Sequence, residues 1–94
     1  MTKIDETLKE RGSRYGDYMG HARVAQRLQD VVRDELYIRP DMDWQDLDYD
    51  MREALTIIFD KIGRIVNGDP WYADSWHDIA GYATLIDERL ENER

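Results

Sequence analysis

Apolar residues recur at helical spacing along most of this chain. The pattern is clearest between Leu47 and Ile65, where Leu47, Met51, Leu55, Ile58, Ile62 and Ile65 step by four and three residues. That spacing predicts a long amphipathic helix, stopping at Asn67-Gly68, a frequent C-terminal pair. Asp69-Pro70 follows, and proline suits the first position of a next helix. This last helix carries Ile79, Tyr82, Ala83, Ile86 and Leu90 on one face. Upstream, Val24, Leu28, Val31 and Val32, with Leu36 at the edge, mark a helix that starts near Asp17, a favoured N-cap type. The segment 37–43 reads as a loop, with Pro40 and Asp43 setting up the next start. Residues 2–10 predict a short helix with Ile4 and Leu8 one turn apart, ending near Gly12; the following RYGDYMGH breaks the pattern with two glycines. No run alternates with period two for long. The expected fold class is therefore all-α, a compact bundle of three to four helices with a C-terminal antiparallel helical hairpin. At 94 residues the chain is expected to be a single all-α domain over 1–94.

Composition narrows the function classes. No apolar run approaches the roughly 20 residues of a membrane span, and the N-terminal stretch has no apolar core of the signal-peptide type. The expectation is a cytoplasmic protein with no membrane contact. With no cysteine, disulfides, thiolate metal sites and cysteine nucleophiles are excluded. Twenty-one acidic residues against thirteen basic give a net charge of −8. That balance disfavours direct binding to a nucleic-acid backbone. It fits plain solubility, a carboxylate metal site, or an acidic surface that meets a basic partner. A short bundle rich in Ile, Leu and aromatic residues is also expected to form a homodimer.

Some polar residues fall on apolar faces. Asp78 lies between Tyr82 and Leu85 on the apolar arc of the last helix. A buried carboxylate without a partner costs several kcal/mol or takes up a proton. Two partners are open to it. One is Lys61, at the edge of the apolar arc of the preceding helix. The other is a metal ion shared with Asp74, one turn away, and with Asp50 and Glu53, three apart on the third helix. In an antiparallel hairpin these four acids converge only through a tilted crossing or a second subunit. His21 shares a face with Val24 and Leu28 and reads first as a hydrogen-bonded core residue. Trp71, Tyr72 and Trp76, just after a tight turn, are expected to seal the end of the core, with stacking on a nucleobase as the alternative. The RYGDY run, 14–18, is either a connector in which Gly16 permits a tight turn, or a binding loop in which Arg14 and Tyr15 face a ligand. There is no glycine-rich phosphate loop, no nucleophile elbow and no histidine spacing for zinc.

The run from Glu53 to Leu85 resembles a family of short phage and prophage proteins of unknown function. The resemblance lies in Lys61 and Arg64 three apart, a loop, and then Asp74, Asp78, Gly81 and Tyr82; RYGDY fits it too. That family in turn is similar to the MazG-like all-α nucleoside triphosphate pyrophosphohydrolases, which include phage dATP/dGTP diphosphohydrolases. Those enzymes hold Mg²⁺ with an E-x-x-E on one helix and an E-x-x-D on the next. Here Asp50-Met51-Arg52-Glu53 stands where the first pair would be, and Asp74 with Asp78 where the second would be. The first pair has lost a glutamate, and the second is spaced by four rather than three. The resemblance implies a Mg²⁺-dependent protein acting on or binding a (deoxy)nucleoside triphosphate in a bacterial host cell. Asp50, Glu53, Asp74 and Asp78 would hold the metal, with Glu53 and Asp78 catalytic. Lys61, Arg64, Arg14, Tyr15 and Trp71 would bind the substrate. The competing expectation is a non-enzymatic acidic phage protein that docks on a host or defence protein.

Overall fold

Four helices and one 3-10 turn account for the structure, a computed structural model that describes residues 3–93. In chain order they are α1 (Lys3–Tyr15), α2 (Tyr18–Ile38), the 3-10 turn (Trp44–Asp46), α3 (Tyr49–Asn67) and α4 (Ala73–Asn92). The expected all-α bundle forms, and α3 and α4 make its C-terminal antiparallel hairpin. Thr2, the expected first residue of the first helix, lies outside the described residues.

α1 does not end near Gly12 but runs on to Tyr15. A glycine inside a helix costs about 1 kcal/mol relative to alanine, which weakens the helix without stopping it. The stop comes at Gly16, whose φ of +76° only glycine adopts freely. Gly16 N–H still donates to the Gly12 carbonyl at 3.0 Å and closes the last turn. The second glycine of this stretch, Gly20, does not break the pattern and sits buried inside α2.

The core lies between α2 and α3. Ala25, Trp44 and Phe59 are buried together, flanked by Leu28, Val32, Leu36, Leu47 and Leu55. Val31, expected on the apolar face of α2, points to solvent. Trp44 reaches this core through the 3-10 turn, which the apolar spacing does not reveal. Asp43 caps it: the Asp43 carboxylate accepts from Trp44 N–H at 2.7 Å, and Asp46 accepts from Asp43 N–H at 2.9 Å. Leu47 follows this turn and precedes α3, so the expected helix begins two residues later, at Tyr49.

Pro70 does not open α4. The Asp69 carboxylate accepts from Trp71 N–H at 3.0 Å and the Asp69 carbonyl from Tyr72 N–H at 3.2 Å. Those bonds hold Pro70 in a tight turn, so α4 begins at Ala73. α4 then packs chiefly on α3. Two ion pairs fix the register: Asp50 with Arg89, and Lys61 with Asp78 at 3.0 Å. The pairs are eleven residues apart on each helix, about three turns, so both lie on one seam. Among the described residues, no helix is long and apolar enough to cross a membrane.

Candidate functional site

A latch at one end of the bundle frames a cleft between three helices. Asn67, the last residue of α3, donates from Nδ2 to the carbonyls of Asp17 at 2.9 Å and Tyr15 at 3.2 Å. Asp69 N–H donates to the Arg14 carbonyl. The α1–α2 junction is thereby fastened to the α3–α4 turn. No side chain could replace hydrogen at Gly16 or Gly68 without meeting the opposite backbone, Asn67 for the first and Arg14–Tyr15 for the second. The close approach sets where Arg14 and Tyr15 stand.

The cleft, of about 340 Å³, opens between α1, α2 and α3, and its walls include Leu8, Arg11, Tyr15, Tyr18, His21 and Arg64. Arg64 lies over the Tyr15 ring, with its guanidinium carbon 4.6 Å from the ring centroid. Its Nε sits 3.2 Å from Asp60, too poorly aligned for a hydrogen bond. Among the described residues no acceptor reaches the terminal nitrogens of Arg64, and Arg11 makes no ion pair. His21 is 5% exposed and donates from Nε2 to the Asp60 carboxylate. Asp60 therefore meets both the histidine and the arginine. Gly63 lets His21 in: a Cβ there would lie 2.6 Å from the His21 carbonyl oxygen.

Of the residues expected to bind a substrate, Tyr15 and Arg64 line this cleft. Arg14 turns away from it. Its Nη1 donates to the Tyr72 hydroxyl at 2.7 Å, and that hydroxyl donates to Asp74 at 2.9 Å. The bond to Asp74 raises the pKa of Tyr72, burial adds to the rise, and Arg14 opposes it. Lys61 faces α4 and pairs with Asp78. Trp71 is 88% exposed at the α3–α4 turn, and Trp76 is exposed as well, so neither seals the core. Only Tyr72 of that aromatic group packs inward, its ring centroid 6.0 Å from that of Tyr15.

The four acids expected to hold Mg²⁺ occupy separate places. Asp50 is engaged by Arg89, whose hydrogen bond holds its carboxyl below the usual carboxylate range. Asp74 accepts from Tyr72, Asp78 pairs with Lys61, and Glu53 is exposed on α3. Asp78 is not sunk in the core; its side chain is 42% exposed, against 17% for Lys61. Among the described residues, no three His, Asp or Glu side chains gather as metal ligands. The donor set of one chain therefore does not fit a Mg²⁺ site.

Sequence spacing misses three contributors to the cleft: Asp60, Gly63 and Asn67. Gly63 had a signal, since a glycine in the middle of a strong helix is unfavourable unless something approaches closely. Comparison of the chain with protein-family models, with curated proteins and with solved structures finds no match.

Proposed function

We propose that the protein binds a phosphate-bearing nucleotide in the α1–α2–α3 cleft. The observation that carries this reading is Arg64, stacked on Tyr15 with no acceptor at its terminal nitrogens among the described residues, in a cleft that Arg11 also lines. The cleft carries two arginines, Arg11 and Arg64, against one aspartate, Asp17, in a chain of net charge −8. Guanidinium groups present paired N–H donors that match phosphate oxygens. The exposed Tyr18 ring at the rim offers a face on which a base can stack. Nucleoside triphosphates are the class named by the resemblance to MazG-like enzymes. The binding half of that resemblance draws support from the arginines; metal-dependent hydrolysis draws none from the acids of a single chain.

The test is calorimetric titration with inorganic triphosphate and with each deoxynucleoside triphosphate, on the wild-type protein and on Arg64→Ala. Charge-assisted hydrogen bonds contribute about 1.5–3 kcal/mol each, so Arg64→Ala should weaken binding by about tenfold or more. Absence of saturable binding by any of these anions at millimolar concentration would refute the reading.

A second reading, docking to a protein partner, is favoured by Tyr18, Met19 and Trp71, large side chains exposed at the latched end. On this reading Trp71→Ala weakens capture of the partner, and Arg64→Ala leaves it unchanged.

A further inference from the structure

We infer that His21 is a third donor to the bound anion, through Nδ1, and that it takes up a proton from solvent as the anion binds. The inference rests on the anion-binding reading of the α1–α2–α3 cleft and adds a residue and a proton to it.

The imidazole has a fixed place. Nε2 donates to the Asp60 carboxylate, the Tyr18 ring meets the imidazole edge-on with 5.6 Å between centroids, and Gly63 lets the ring lie against α3. Asp60 also sets the imidazole beside the arginine. Its Oδ1 takes His21, and its Oδ2 lies 3.2 Å from Arg64 Nε. An anion at the terminal nitrogens of Arg64 therefore has the imidazole as a neighbour.

Nδ1 is the ring nitrogen left over. Among the described residues nothing bonds to it, and the buried side-chain nitrogens without a partner are Nε of Arg52 and Nε of Arg64. Nδ1 thus keeps an opening although the residue is buried, and the void that His21 lines is the cleft.

Protonation decides what Nδ1 can do there. With Nε2–H given to a carboxylate, a neutral imidazole presents only a lone pair at Nδ1. Ionised phosphate oxygens are acceptors as well, so the neutral ring repels them. A proton on Nδ1 turns that repulsion into a charge-assisted hydrogen bond. The surrounding charges favour the proton once an anion arrives. α1 supplies Arg11 and Tyr15, the α1–α2 junction Asp17, α2 Tyr18, and α3 Asp60 and Arg64. In formal charge the two aspartates offset the two arginines. A bound phosphate therefore makes the cleft negative unless His21 gains a proton.

Binding that takes up a proton tightens as pH falls. The experiment is calorimetric titration with inorganic triphosphate at about pH 6 and about pH 8, in buffers of different ionisation enthalpy, on the wild type and on His21→Gln. The titration of triphosphate itself is common to both proteins and cancels in the comparison. The wild type should take up more protons than the variant, by up to about one, and its advantage in affinity should grow about tenfold from the higher pH to the lower. A second measurement does not depend on His21→Gln folding. The chain has two histidines, and His77 is exposed on α4, so His77→Gln leaves the ring signal of His21 alone in a proton NMR spectrum. That signal should titrate at higher pH with triphosphate bound. Triphosphate binding with no excess proton uptake, a His21→Gln variant weakened equally at both pH values, or a His21 signal that triphosphate does not move overturns this inference and leaves the anion-binding reading standing. Absence of saturable triphosphate binding overturns both.

Discussion

Lys61 on α3 and Asp78 on α4 form an ion pair across the hairpin, 3.0 Å from nitrogen to oxygen. The lysine is the more enclosed partner, so removing the acid harms more than the acid's own exposure suggests. Asp78→Asn should lower stability by up to about 1 kcal/mol, the range of partly exposed pairs. Lys61→Met, which fills the same space without a charge, should cost less. A double-mutant cycle by urea denaturation measures the coupling between the two.

At Gly63, α3 passes close to the backbone of α2. Gly63→Ala gains about 1 kcal/mol of helix propensity. It also drives a methyl group to 2.6 Å from the His21 carbonyl, a contact that must be relieved by moving backbone. Overpacking of that kind costs about 1–3 kcal/mol. The expected outcome is net destabilisation, seen as a lower urea midpoint with an unchanged slope.

Asn67→Ala removes the latch between the α1–α2 junction and the end of α3. Two hydrogen bonds to backbone carbonyls are lost, at about 0.5–1.5 kcal/mol each. The variant should lose about 1–3 kcal/mol in urea denaturation, and inorganic triphosphate affinity should fall with it, because Tyr15 no longer has a fixed place beside Arg64.

Asp50 gives the protein an acid-sensitive seam. The hydrogen bond from Arg89 holds its folded pKa below the ordinary value, and burial opposes the shift only in part. Below about pH 4, where an ordinary aspartate takes up its proton, the unfolded chain binds more protons than the folded one. The stabilisation is complete above that pH and is lost as pH falls through the folded value. Thermal melting between pH 5 and 2 should show a slope that Asp50→Asn reduces.

Much of the architecture was legible because it rests on one strong periodicity. The steps from Met51 to Ile65 define α3, and the hairpin register places Asp78 beside Lys61, one of its two anticipated partners. The boundaries were less legible. Gly12 and Pro70 look like punctuation, yet the stop and the turn are set by Gly16 and by the carboxylate of Asp69, through a backbone angle and a local hydrogen bond that apolar spacing does not encode. The aromatic run after the turn misled for a related reason. Trp71 and Trp76 would seal a core only if α4 had helices on both sides, and it packs chiefly on one. The cleft was half visible. Tyr15 and Arg64 stand out as residue types, but Asp60 and Asn67 become partners only when distant segments meet.

α1 contributes Leu8, Arg11 and Tyr15 to the cleft, yet buries none of its own residues. Such an element opens at a lower free energy than the helices around the core. Its amides should therefore trade hydrogen for deuterium well before those of α3. An anion bridging Arg11 and Arg64 would bind only the closed form and slow that exchange. The first helix would thus serve as a built-in gauge of occupancy, readable by mass spectrometry with no attached probe and no assumption about turnover.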